Sequence, residues 1–94
     1  MSNNIVEVKA VFFGTVQGVF FRAHVVSVAK QFKVAGFVRN LLDHNYVELH
    51  AVGKKEEIDK FIDKIKEDCP GKIDKVEITL EENVNEYLGF EIRF

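Results

Sequence analysis

A chain of 94 residues has the length of one domain, which excludes a two-domain enzyme and makes residues 1–94 one unit. With 47% hydrophobic and 30% charged residues, it lies outside the composition of chains that stay disordered. A formal net charge of −2 argues against broad electrostatic binding to nucleic acid or to an acidic membrane.

Met1-Ser2-Asn3-Asn4 shows neither the basic start nor the apolar run of a secretory signal. Val6, Val8, Ala10 and Phe12 alternate with Glu7 and Lys9, the period of a half-buried strand, and Gly14 breaks the pattern. From Phe21 the apolar positions move to Val25, Val28, Ala29 and Phe32, a helical spacing over roughly residues 21–33. Ala35 to Leu41 and Tyr46 to Val52 read as the strands of a hairpin across an Asp43-His44-Asn45 turn, and Gly53 ends it. Ile58, Phe61, Ile62 and Ile65 then mark one stripe of a second helix among eleven charged residues, with Glu56 and Lys60 spaced for an ion pair. Cys69-Pro70-Gly71 stops that helix. Val76, Ile78 and Leu80 alternate as a strand with one apolar face, and Phe90, Ile92 and Phe94 form a short last strand.

The order βαββαβ plus a terminal strand fits an α+β, ferredoxin-like sandwich, an antiparallel sheet with both helices on one face. Many unrelated functions use that fold, so function has to come from particular residues. No apolar run approaches the roughly 20 residues that span a bilayer. The single cysteine, Cys69, cannot close an intramolecular disulfide and lacks the Cys/His company of a zinc site, so a reducing, cytoplasmic setting is expected.

Chemistry concentrates where the first strand meets the first helix, at Gly14-Thr15-Val16-Gln17-Gly18-Val19-Phe20-Phe21-Arg22. Glycines let backbone N–H groups turn toward a ligand, and a helix N-terminus attracts anions. Two glycines alone read more readily as an ordinary strand-to-helix turn. Arg22 adds a second signal, because a cation in the first helical turn opposes the helix dipole unless an anion sits between them. The charge distribution agrees: residues 1–42 carry five basic side chains and one acid, while the remainder carries 8 basic and 14 acidic ones. In Gly36-Phe37-Val38-Arg39-Asn40-Leu41 an amide stands where a strand favours an apolar residue. By itself Asn40 reads first as a hairpin-end cap, and Arg39 as a solvated or acid-paired cation. No Walker loop or G-x-G-x-x-G is present, Ser27 lacks a nucleophile elbow, and His24, His44 and His50 lack ligand spacing.

These two segments resemble the paired motifs of the acylphosphatase family. The first, G-x-V-Q-G-V-x-F-R, is met by Gly14, Val16, Gln17, Gly18, Val19, Phe21 and Arg22; the second, G-[WF]-V-x-N, by Gly36, Phe37, Val38 and Asn40. The resemblance implies hydrolysis of acyl phosphates to a carboxylate and inorganic phosphate, with no metal and no cofactor. It also implies that Arg22 and the backbone of Thr15, Val16, Gln17, Gly18, Val19 and Phe20 bind phosphate while Asn40 positions water. Thr15 stands where many members carry lysine or arginine, and Phe37 where tryptophan is frequent. The expected partners are an acyl phosphate and inorganic phosphate, without nucleic acid or membrane, and the expected state is a monomer. The weighed alternatives are a non-catalytic anion-binding domain and an RNA-recognition module, the latter opposed by the net charge and by Tyr46-Val47-Glu48-Leu49-His50.

Overall fold

The computed structural model describes residues 4–17, 20–41 and 45–93; the roles expected of Gly18, Val19, Asp43, His44 and Phe94 fall outside them. In chain order the elements are β1 (Ile5–Thr15), α1 (Phe21–Ala29), β2 (Ala35–Leu41), β3 (Tyr46–Lys54), α2 (Lys55–Glu67), β4 (Lys72–Leu80) and β5 (Phe90–Arg93). The sheet order is β4-β1-β3-β2-β5, with β3 inserted between β1 and β2, as the split βαβ topology requires.

The alternation in β1 turns Val8, Ala10 and Phe12 onto the face that also carries Val38 of β2 and Val47, Leu49 and Ala51 of β3. Phe21, Val25 and Val28 of α1 and the Ile58, Phe61, Ile62, Ile65 stripe of α2 close over that face in one core. Each such aliphatic or phenyl side chain contributes about 1.5–3 kcal/mol when fully buried. On the solvent side of α2 the i,i+4 ion pair is Lys55 with Asp59 at 2.9 Å, rather than Glu56 with Lys60. None of the described helices is long and apolar enough to cross a membrane.

The structure differs from the sequence expectation in four places. Gly14 does not end β1: with φ at 137° it sits in a bulge against β4, and the strand continues to Thr15. α1 stops at Ala29, where Gln31 N–H donates to the Val28 carbonyl and Phe32 N–H to the Ala29 carbonyl, the three-residue step of a tightened last turn. The sheet is mixed, because β5 pairs parallel with β2. On β4, Ile78 and Leu80 face the helical side yet are 55% and 60% exposed, since the helices pack over β1, β3, β2 and β5 and leave this edge uncovered.

The parallel edge follows from the route of residues 81–89, which must carry the chain from one edge of the sheet to the other. Glu81 N–H donates to the Glu7 carbonyl at its start, and Gly36 N–H to the Gly89 carbonyl at its end. Gly36 is confined to glycine because φ is 149° and a Cβ would run into the His50 carbonyl. Between these points Glu7, 1% exposed, is the anchor. Its carboxylate accepts from the Asn85 backbone N–H at 2.8 Å, Asn85 Nδ2 at 2.9 Å, Tyr87 Oη at 3.0 Å and His50 Nδ1 at 3.0 Å. Phe37 stacks on His50 with ring centroids 4.8 Å apart and meets the Tyr87 ring edge-on at 5.7 Å.

Burial opposes ionisation of Glu7, but the bonds from Asn85, His50 and Tyr87 outweigh it and hold the carboxyl below its ordinary value of 4.5. A depressed folded-state value adds stability above the unfolded value and loses it as pH falls through the folded one. Glu7→Gln should therefore destabilise the fold by about 1–3 kcal/mol at neutral pH. The gap to wild type should close below the ordinary 4.5, and urea titrations at stepped pH read it directly. A gap that widens in acid would contradict this account.

Candidate active site

The loop between β1 and α1 is pinned from below and from the side. Val16, 1% exposed, plugs into the core directly after Thr15. Gln17 Nε2 donates to the Tyr46 carbonyl at 2.8 Å and to the Leu41 carbonyl at 3.2 Å. One amide carries two N–H donors, so a single side chain serves both ends of the β2–β3 connection. Leu41 and Tyr46 are cross-strand partners, and Asn40 precedes Leu41, so Gln17 joins the loop to the strand end that bears Asn40. Gly14, Thr15, Val16, Gln17 and Asn45 line a cleft of about 260 Å³ beside this tie.

Phe20, at φ 63° and ψ 21°, is in the left-handed region immediately before α1. For a non-glycine residue that conformation costs about 1–2 kcal/mol. Its carbonyl accepts from His24 N–H at 3.0 Å, which begins the helical ladder. α1 has no side-chain N-cap and no acid in its first turn. The first turn of α1 thus carries Arg22 and no acid, and the start of a helix favours an anion. The start of the helix is held by Phe21, whose ring lies 5.2 Å from that of Phe12, and by His24 Nε2, 3.0 Å from the Ile65 carbonyl of α2.

Asn40 pairs with Val47 in β2, two residues after the fully buried Val38 and on the same side of the strand. Its Oδ1 is buried and has no hydrogen-bond partner among the described residues. A buried acceptor left unsatisfied costs about 1–3 kcal/mol, which marks Asn40 as a position not chosen for strand stability. Arg39, on the opposite side, is the acid-paired cation: its Nε lies 2.8 Å from Glu48 Oε1.

Thr15, Val16 and Gln17 therefore come together in one cleft, while Arg22 on α1 and Asn40 on β2 lie outside its lining. The side-chain role of Gln17 and the place of Asn45 were not read from sequence. The signal for the first was present, since an amide between Val16 and Gly18 in an otherwise apolar and glycine-rich turn needs partners. Among the described residues no three of His, Cys, Asp and Glu converge as metal ligands. Burial pushes the Cys69 thiol up, away from the reactive thiolate.

A family model described as Acylphosphatase matches residues 8–92. The chain belongs to the acylphosphatase family. It is 39% identical over 93 residues to an acylphosphatase of Acaryochloris marina, covering 98% of each chain. The crystal structure of acylphosphatase from Bacillus subtilis superposes with a TM-score of 0.86 at 28% identity, over 95% of this chain and 99% of that one. The chain is also 41% identical over 81 residues to the probable carbamoyltransferase HypF of Methanocaldococcus jannaschii, a match covering 84% of this chain and 10% of that protein.

Removing the Gln17 tie tests its place in this family's loop. Gln17→Ala should lower stability by about 1–3 kcal/mol, because two part-buried carbonyls lose their shared donor. It should also lower kcat for an acyl phosphate, since the loop and the Asn40 strand end are no longer linked. Urea unfolding and steady-state kinetics measure the two effects, and a variant with wild-type stability would show that the tie carries no strength.

Proposed function

We propose that the segment from Thr15 to Phe20, together with Arg22, holds the phosphoryl group of an acyl phosphate while Asn40 orients the attacking water. As a member of the acylphosphatase family, the chain is an enzyme that splits the carboxyl–phosphate bond into a carboxylate and inorganic phosphate. The observation that supports the division of roles is the Gln17 tie, which links the Thr15–Gln17 segment to Leu41, the residue after Asn40 at the end of β2. The uncapped start of α1 and the like-charged Arg22 beside it support phosphoryl binding.

Phosphoryl transfer needs positioning and charge stabilisation more than covalent help from the protein. Arg22 and the loop N–H groups draw charge from the equatorial oxygens, and Asn40 aims the water in line with the leaving group. The new P–O bond forms to water as the bond to the acyl oxygen breaks, and its electron pair leaves with the carboxylate. A carboxylate is a weak base and departs unprotonated, so no general acid is needed. An amide does not take up a proton at neutral pH, so the water's proton passes to a phosphoryl oxygen of the substrate itself. Every group in this scheme comes from one chain, and no metal enters it. We place the reaction in the cytoplasm, in keeping with a single, part-buried cysteine.

Hydrolysis of benzoyl phosphate with excess chelator tests the scheme. Asn40→Ala should lower kcat about 10²–10³-fold, the usual effect of losing one positioned hydrogen-bonding group, while inhibition by inorganic phosphate stays within about twofold. Arg22→Ala should weaken both turnover and phosphate binding by at least about tenfold, as expected for lost charge-assisted bonds. Equal loss of phosphate affinity in the two variants would sink the assigned roles, and loss of wild-type turnover on chelation would sink the metal-free scheme.

A further inference from the structure

We infer that the free edge of β4 is a self-association surface, on which residues 75–81 pair antiparallel with the same residues of a second copy about a two-fold axis at Ile78. The two edges of the sheet, β4 and β5, are unequal. β5 has four residues, and its Glu91 and Arg93 side chains are exposed, so this edge is short and charged in the way that resists pairing. β4 has nine residues, and its exposed Ile78 and Leu80 stand two apart on the face that the helices leave uncovered. The backbone agrees with the side chains. Glu81 N–H donates to the Glu7 carbonyl, one step beyond the Val8–Leu80 pair. Backbone groups alternate in direction along an antiparallel pair, so residues 77, 79 and 81 turn theirs toward β1. Val76, Ile78 and Leu80 then present N–H and C=O outward, at the same positions whose side chains form the apolar row.

The register follows from what each alignment sets face to face, since directly opposite residues share a face. With the axis at Ile78, Val76 meets Leu80 of the second copy and Ile78 meets its own counterpart. On the other face Lys75 meets Glu81 of the second copy, and symmetry makes that pair twice. Lys75 is already held on that face, 3.2 Å from Glu77 and 4.7 Å over the Phe13 ring. An axis at Glu77 sets Glu77 against itself, and an axis at Thr79 sets Glu77 against Glu81, like charges directly opposite in both cases. An axis at Val76 sets Ile78 against Asp74 and draws in the irregular pairing beside Gly14. The Ile78 axis stays clear of that bulge. An isologous contact of this kind closes at two copies and joins their sheets through the β4 strands. It forms about six backbone hydrogen bonds. One strand pair is smaller than a standard interface of roughly 1,200–2,000 Å², so the dimer is weak and concentration-dependent.

Sedimentation equilibrium of the full chain from about 1 μM to about 1 mM covers the range of a weak contact. The mass should rise from 10.8 kDa toward twice that value. Ile78→Lys changes an exposed side chain and sets two ammonium groups against each other on the axis, so it should weaken association at least about tenfold while circular dichroism stays that of the folded chain. Ile78→Cys and Leu80→Cys, each in a Cys69→Ser background, read the register. Opposite residues of a hydrogen-bonded pair have Cα atoms about 5.5 Å apart, within disulfide reach, so Ile78→Cys should link two copies under mild oxidation. The two thiols of Leu80→Cys would lie four residues apart along the paired strands, about 13 Å, and should not link. A constant monomer mass over the whole range overturns the inference, and so does undiminished association of Ile78→Lys. Equal cross-linking at positions 78 and 80 overturns it as well, because the contact then has no fixed register. Mass that grows past two copies also overturns it, since an open-ended assembly is not the closed pair.

Discussion

Packing of Phe21 against Phe12 is the contact on which the site depends. Phe12 belongs to the core row of β1 and Phe21 is the first residue of α1, so their 5.2 Å ring contact sets where the helix starts relative to the sheet. The start of a helix is where its backbone N–H groups lack internal partners. Fixing it therefore fixes the direction of those donors and the place of Arg22 one residue later. Val16, before the loop, is buried in the same core, so the residues on both sides of the loop are tied to rigid elements. The Gln17 amide then closes the third side against Leu41 and Tyr46.

The opposite end of β1 is built differently. Glu7 stands eight residues before Thr15 along one strand, a separation of about 26 Å at roughly 3.3 Å per residue. There the chain between β4 and β5 crosses the sheet, and a buried carboxylate gathers Asn85, Tyr87 and His50. Such a group is tolerable inside only because its oxygens are multiply hydrogen-bonded. The two ends thus divide the molecule's polar groups by purpose: at Glu7 the acceptor is saturated by protein donors, whereas at Asn40 the acceptor is left without one. Saturation suits a structural anchor, whereas an orphan acceptor costs stability and has to be justified by something other than the fold.

What was legible in sequence follows from the range of the interactions involved. The α2 stripe could be read because Ile58, Phe61, Ile62 and Ile65 repeat at helical spacing and all four are buried. The two glycine-bearing segments could be read because turn geometry and helix-end charge are local. Exposure of Ile78 and Leu80 could not, since alternation marks a face but not whether a helix lies above it. Burial of Glu7 was hidden for a similar reason, as it sits among apolar neighbours in a strand and its partners come from residues 85–87, far along the chain. The parallel pairing of β5 depends on the route of the crossing segment, which no local pattern specifies.

Three residues around one loop each break a local rule: Asn40 in a strand, Phe20 in the left-handed region and Arg22 at the positive end of a helix. Taken singly, each has an ordinary explanation as a cap, a turn or a solvated cation. Gln17 ties the loop that precedes Phe20 and Arg22 to the strand end that bears Asn40, so the three stand on two segments linked to each other. In the roles we propose, one acyl phosphate answers two of them, its phosphoryl charge standing by Arg22 and the helix start and its water by Asn40. The backbone strain at Phe20 and the desolvation at Asn40 are local costs of the kind that preorganised sites carry to favour a reacting geometry over bulk water.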